Sequence, residues 1–469
     1  MLFSSAVFLL LFLPATIVAY WLLPARYRVP LLLIASYVFY LSWNPIYGLL
    51  LATSTVVNYA LAREIPRSSS PKRLLIAGVA FNLVILGFFK YAGLFSDGAG
   101  ELLDWLGIAG TGSSFDGLQV LLPLAISFFT FEMISVLVDV YRGQTRVGGF
   151  LVFATYKAYF PKLIAGPITR YRELAPQLEL PRSLTFANFQ SGVALFTVGL
   201  AKKLVISDNL AVVADKAFNN PNGVSPEYMA LGIAAFGLQI YFDFSGYTDM
   251  ARGVSRMLGL ELPRNFNFPY GASSPSDFWQ RWHMTLSRWL RDYVYIPLGG
   301  NRKGVRNTYR NLLITMMLGG LWHGAGLNFV VWGALHGLLL GFSHFMRGRI
   351  QSPSPLLSFA GSYLTILAVF FVWIFFRANS LPDALEVIAR LGDLPGALSA
   401  GELAGALVVS ALFVLANRLA PRIGQYGRER YLAIPQRRVM AFAVLTLTCW
   451  TAASVLARGS LTPFVYFQF

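Results

Sequence analysis

The chain has 469 residues, of which 56% are apolar and only 13% charged, with a mean hydropathy of +0.56. One globular core cannot hide that much apolar surface. This excludes a water-soluble enzyme and predicts an all-α polytopic membrane protein, a helical bundle of about 10–12 crossings with the lipid bilayer as its surroundings. The net charge of +16 falls in short basic patches between apolar stretches, which marks loops facing anionic lipid and points away from nucleic acid as a partner.

Residues 3–23 are apolar, no basic residue precedes Arg26 and no small-residue cleavage pattern follows, so the segment reads as a retained first span. Arg26 and Arg28 then place the N-terminus outside. The stretch 31–61 is too long for one span and is broken at Asn44-Pro45, which predicts two short helices. A loop with Arg63, Arg67, Lys72 and Arg73 against Glu64 is cytoplasmic. A span over 74–95 leads to an external segment with Asp97, Glu101, Asp104 and Asp116, and a span over 118–140 returns to Arg142 and Arg146. Between 150 and 172, Lys157, Lys162 and Arg170 with Pro161 and Gly166-Pro167 predict a re-entrant or interfacial element. Lys202-Lys203 interrupts the apolar run 189–213; a helix at the interface with snorkelling lysines is one solution.

Residues 243–310 carry ten basic and five acidic residues and are predicted to face the cytoplasm. From Asn311 the chain re-enters the membrane, and His323, twelve residues on, lies about 18 Å along a helix, near the bilayer midplane. The chain returns at Arg347 and Arg349, crosses at 359–376, passes an acid-rich loop (Asp383, Glu386, Asp393, Glu402) and crosses back at 403–419. Arg422, Arg428, Arg430, Arg437 and Arg438 mark the inside before a last span at 439–456. A single membrane domain thus divides into N-terminal spans (1–140), a cytoplasm-facing and re-entrant region with spans (141–310), a histidine segment (311–346) and C-terminal spans (347–469).

Gly319-Gly320-Leu321-Trp322-His323-Gly324-Ala325-Gly326 places an imidazole among helix-loosening glycines, with no charge in 312–322 or 327–340. Irregular backbone at membrane depth is tolerated only in protein or beside a water-filled cavity, so this turn is expected to line one; a histidine capping a helix end is the alternative. The four histidines have no HExxH spacing and no acidic partner at ligand spacing, and the one cysteine, Cys449, forms no cluster, so no metal site is predicted. His336, in the same apolar helix as Trp332, and His344, at a basic helix end, read as structural. The run 299–304 is a basic turn without Walker spacing. His283, in Asp277-Phe278-Trp279-Gln280-Arg281-Trp282-His283, begins an aromatic stripe at helical spacing, for which an amphipathic helix on the inner leaflet is the alternative. A neutral imidazole near physiological pH takes a proton from a hydroxyl, as acyl transfer from a thioester to an alcohol requires.

Together, Tyr241-Phe242-Asp243-Phe244-Ser245-Gly246-Tyr247-Thr248-Asp249, Arg264-Asn265-Phe266, the 278–287 run, Trp289-Leu290-Arg291-Asp292-Tyr293, Gly299-Gly300-Asn301-Arg302 and Gly320-Leu321-Trp322-His323-Gly324 resemble the membrane-bound O-acyltransferase family, in its bacterial branch acting on secreted polysaccharides such as alginate. The resemblance implies a central tunnel with His323 as catalytic residue at its waist and His283 as the second histidine. It further implies acetyl-CoA as cytoplasmic donor, with no bound cofactor, and location in the bacterial inner membrane. The partner it implies is a periplasmic SGNH-type acetyltransferase that completes transfer to the polysaccharide acceptor. Asp243, Ser245 and Tyr247 are candidates to orient donor or tunnel water, with Trp322 and Arg281 as further substrate-binding candidates. A charged Asp243 at a helix centre would cost roughly 2.5 to 3.5 kcal/mol in lipid, so it is expected to face protein or water. Arg281, Arg288, Arg302 and Lys303 would attract the phosphates of CoA, or are solvated loop charges. Peptidoglycan, cellulose or another glycan as acceptor, D-alanyl as acyl group, a transporter and a scaffold of an envelope-polysaccharide complex are the alternatives; the chain shows none of the repeated halves common in transporters.

Overall fold

The computed structural model describes residues 1–105, 122–180, 183, 185–347, 349, 354–394, 399 and 408–420, with 92–105 described by backbone alone. Among the described residues the regular structure is all helical. Five helices, Pro71–Tyr91, Phe186–Asn219, Pro226–Met257, Leu327–Arg347 and Pro355–Arg377, are long and apolar enough to cross a bilayer. The acidic side chains of 97–117, Glu402, Cys449, the basic run 422–438 and the predicted span 439–456 lie outside the described residues. Two compact units form, one of Met1 and Val18–Arg182, the other of Leu2–Ile17 and the described residues from Ser183 on.

The chain opens with a π-helical turn, Phe8–Phe12, leading into α1 (Leu13–Leu22). In the first unit, α2 (Ala25–Leu41) and α3 (Ile46–Glu64) flank the expected break, where the Asn44 side chain accepts from the Ile46 amide at 3.1 Å. Helix α4 (Pro71–Trp105) is clasped to α3 by Asn58 and Asn82, whose amides donate to each other at 3.2 and 2.7 Å. Such pairing is how polar side chains are accommodated between membrane helices. The span predicted over 118–140 starts late, as α5 (Ile126–Tyr141), because Pro123 precedes it and Ala125 is left-handed at φ 71°. The 150–172 element is broken as its prolines require, into α6 (Phe150–Ala158) and α7 (Phe160–Leu163), before α8 (Tyr171–Glu179). Its Lys162 forms a buried ion pair with Glu132 of α5.

The second unit corrects three sequence expectations. The lysines of 202–203 do not snorkel: α9 (Phe186–Ala201), a π-helical turn (Lys202–Ser207) and α10 (Asp208–Asn219) form one rod. Within it Lys202 pairs with Asp249 at 2.6 Å and Lys203 with Asp243 at 2.8 Å. Those aspartates belong to α11 (Pro226–Met257), so the polar region expected from residue 243 begins inside a long helix. The two rods approach closely because glycines face each other at heptad spacing. A Cβ on Gly192 would stand 2.7 Å from the Gly253 carbonyl oxygen, and one on Gly246 2.7 Å from that of Gly199. Then come α12 (Pro275–Arg281), α13 (Met284–Leu290), α14 (Val305–His323), α15 (Leu327–Arg347) and α16 (Pro355–Arg377). The acid-rich 381–392 segment is a helix, α17 (Leu381–Gly392), and not a loop: Ser380 caps it and its apolar face buries Ala384 and Val387. A further helix covers Val408–Ala420.

Serine and proline start several of these helices, since Ser225, Ser274 and Ser354 each accept from a first-turn amide while Pro226, Pro275 and Pro355 occupy the next position. The α14–α15 hairpin closes on small residues. A Cβ on Gly333 would overlap the Met316 carbonyl, and one on Gly337 would lie 2.9 Å from the Leu313 Cα. Gly333→Leu is expected to destabilise the detergent-solubilised protein by about 1–3 kcal/mol through overpacking. Gly87→Ala, where a Cβ meets nothing within 4 Å, should leave the melting midpoint in place; equal midpoints for both variants would refute the close approach.

Candidate functional site

His323 is the last residue of α14, and the chain leaves the helix through Gly324 in extended geometry before α15 begins at Leu327. The far side of the hairpin is anchored by Asn328, whose side-chain amide donates to the carbonyls of Phe375 at 3.1 Å and Ala378 at 2.9 Å, at the end of α16. The imidazole of His323, 5% exposed, is thereby held among Trp322, Trp332 and Phe376, with ring centroids at 4.8, 5.1 and 5.1 Å.

His283 sits in the turn between α12 and α13 with a left-handed backbone, φ 40°, a conformation in which a non-glycine residue persists only when its surroundings hold it. Asn265 does the holding. Its carbonyl accepts from the Met284 amide at 2.9 Å, and its side-chain oxygen from the Thr285 amide at 3.2 Å and the Thr285 hydroxyl at 2.9 Å. The Thr285 N–H can only donate, so that side-chain atom is the oxygen. The His283 Nδ1 lying 3.2 Å from it must therefore carry the proton, leaving the lone pair on Nε2. Complete burial pushes the pKa of His283 down to about 3, so the ring is neutral, and the tautomer is the one that accepts a proton at Nε2.

The two histidines predicted to carry chemistry meet around one indole: Trp322 contacts His283 at 6.3 Å and His323 at 4.8 Å, while Phe244 stands edge-on to His283 at 4.7 Å. Asn265→Leu is expected to lower activity at least tenfold, because it leaves the Thr285 amide and His283 Nδ1–H buried without an acceptor, at about 1–3 kcal/mol each. Unchanged turnover at equal membrane abundance would show that the tautomer of His283 does not matter.

The remaining predicted site residues are more dispersed. Asp243, next to Phe244, turns its carboxylate to Lys203, which also holds Asp208 at 2.9 Å. The Ser245 hydroxyl is buried, and Tyr247 stacks on Phe3 at 4.9 Å. Arg281 pairs with Asp277 one helical turn earlier, at 2.7 Å. Near it, a cavity of about 400 Å³ is lined by Trp279, Met284, Arg288, Arg291, Tyr295 and Met316 among others. Sequence reasoning gave no site role to Asn265, Lys203 or His336. His336, taken as a packed helix residue, stands at 4.7 Å from Trp332, the indole that also contacts His323. The signal for it was its four-residue spacing from Trp332, which puts both on one helix face.

The membrane-bound O-acyltransferase family model matches residues 118–381. The chain is 40% identical over 493 residues to the probable alginate O-acetylase of Pseudomonas putida, with 100% of both chains covered. It is 39% identical over 510 residues to the probable alginate O-acetylase of Azotobacter vinelandii, again over 100% of both. It is also 38% identical to the peptidoglycan O-acetyltransferase of Helicobacter pylori, over 84% of this chain and 80% of that one. With its helical architecture, multi-pass composition and a family match over more than half its length, the chain belongs to the membrane-bound O-acyltransferase family and is an acyltransferase.

Proposed function

We propose that this acyltransferase moves an acetyl group from cytoplasmic acetyl-CoA to a hydroxyl on the other side of the membrane, for O-acetylation of a secreted polysaccharide such as alginate. The observation that carries the reading is the end-to-end likeness to proteins named as probable alginate O-acetylases, on a site where two buried histidines flank Trp322. Arg288 and Arg291, which line the apolar cavity beside α13, suit the phosphates of the donor, and the apolar wall suits its pantetheine arm. The immediate acceptor is a hydroxyl of a periplasmic SGNH-type partner, which passes the acetyl group to the glycan.

His323 acts as general base: the acceptor oxygen adds to the thioester carbonyl carbon while its proton passes to the imidazole, and the carbonyl π pair moves to oxygen. Collapse then breaks the C–S bond, and the thiolate leaves with the proton from His323. His283, neutral and with its Nε2 lone pair fixed by Asn265, offers a second proton-accepting nitrogen beside Trp322, while the single hydrogen of the acceptor hydroxyl goes to His323.

The test is alkali-labile acetate on secreted and envelope polysaccharides from host cells lacking the gene, with and without complementation. Restoration on the secreted uronate polymer supports the reading. Restoration on cell-wall glycan favours peptidoglycan as acceptor, the reading suggested by the Helicobacter pylori relative. No change in ester acetate in any fraction would overturn acetyl transfer.

A further inference from the structure

His336, Trp332 and Trp373 are each only 1% exposed, and all three carry a buried ring nitrogen without a hydrogen-bond partner: Nε2 of the histidine and Nε1 of both indoles. The rings adjoin one another, with centroids 4.7 Å apart for Trp332 and His336, 5.9 Å for the two indoles and 6.1 Å for His336 and Trp373. Trp332 also stands at 5.1 Å from His323.

The protonation of His336 is set by a fourth ring. Trp279 donates its indole N–H to His336 Nδ1 at 3.3 Å, and an indole nitrogen cannot accept, so Nδ1 is the bare nitrogen and Nε2 bears the hydrogen. His336 is thus fixed in the opposite tautomer to His283, as a neutral donor. Three N–H donors that have no hydrogen-bond partner among the described residues gather around Trp332, the ring that contacts His323. A buried donor left unmatched costs about 1–3 kcal/mol, and phenylalanine would fill the indole positions without that cost.

We propose that the Nε2–H of His336 and the indole N–H groups of Trp332 and Trp373 bind the carbonyl oxygen of the acyl group transferred at His323. The inference rests on the reading of His323 given above. In that step the charge that gathers on the carbonyl oxygen, when the hydroxyl oxygen adds to the acyl carbon, is met by donors already desolvated and held in place. Pre-positioned donors of this kind stabilise the transition state more than the ground state. Because Trp279 also lines the cavity beside α13, the ring that fixes the His336 tautomer lies at the wall of the space assigned to the donor.

The experiment is the initial rate of labelled acetate incorporation into glycan esters, in gene-deleted cells complemented with variants at matched membrane abundance. His336→Phe is expected to reduce the rate about 10²–10³-fold, the usual loss for one oxyanion donor. His336→Gln, whose amide both accepts from Trp279 and donates onward, should stay within about tenfold of wild type, whereas a purely packing role would favour the aromatic replacement. A rate for His336→Phe within about threefold of wild type, or equal loss in the Gln and Phe variants, overturns the proposal. Should His336→Phe fail to accumulate, Trp332→Phe with Trp373→Phe decides, because it removes two N–H groups and keeps the rings; an undiminished rate there also overturns it. His323→Ala in the same assay separates the two levels of the argument: its full activity would sink the reading of the site itself, while its inactivity beside an active His336→Phe would sink only the donor cluster.

Discussion

His323→Ala is expected to lower acyl transfer by about 10²–10⁴-fold, the contribution of a positioned general base, while the protein still accumulates in the membrane. The expectation separates chemistry from packing. The hairpin that carries His323 is closed by backbone contacts at Gly333 and Gly337 and anchored through Asn328 to α16, none of which uses the imidazole. Removal of the ring leaves a space among Trp322, Trp332 and Phe376, and its cost falls on local order. Ester acetate measured in cells, with membrane abundance measured on the same samples, gives the comparison. Wild-type acetylation by the alanine variant would remove His323 as the base and would bring a scaffold function forward. His323→Gln, which keeps polarity and volume without a basic nitrogen, should be as inactive as the alanine variant.

The second large effect is one of stability. Lys203→Met is expected to destabilise the protein by about 3–5 kcal/mol, because it leaves the buried Asp243 carboxylate without its cation. The Lys203 and Asp243 side chains are each 1% exposed, and Asp208, the other partner, is 15% exposed. Replacing both members of the inner pair, Lys203→Met with Asp243→Leu, should recover most of the loss, since apolar side chains of similar volume need no charge compensation. Melting of the purified protein in detergent measures both. The double variant also decides what Asp243 does: if it acetylates normally, Asp243 serves the joint between the π-helical turn and α11, whereas a stable but inactive double variant would place its carboxylate in the reaction path. A single Lys203→Met variant that melts like wild type would show that the ion pair contributes no net stability.

The sequence alone determined the membrane class, the break at Asn44-Pro45, the interrupted 150–172 element, the span over 359–376 and the turn at Gly324, because each is written in local composition or in residues with restricted backbones. It also singled out His323 and His283, since an imidazole in apolar surroundings is costly enough to stand out. What it did not settle is which residues neutralise one another across helices. Lys202 and Lys203 looked like interfacial charges until Asp249 and Asp243, some forty residues away, were brought against them by glycine-lined packing. The acid-rich 381–392 segment became a helix once its apolar face was buried. The chemical identity of each histidine was likewise a tertiary matter. The same imidazole is a proton acceptor at 283 because Asn265 accepts from Nδ1, and a donor at 336 because Trp279 gives to Nδ1. A tautomer is chosen by the hydrogen bond on the opposite nitrogen, and the partners that choose it lie 18 and 57 residues away in the chain.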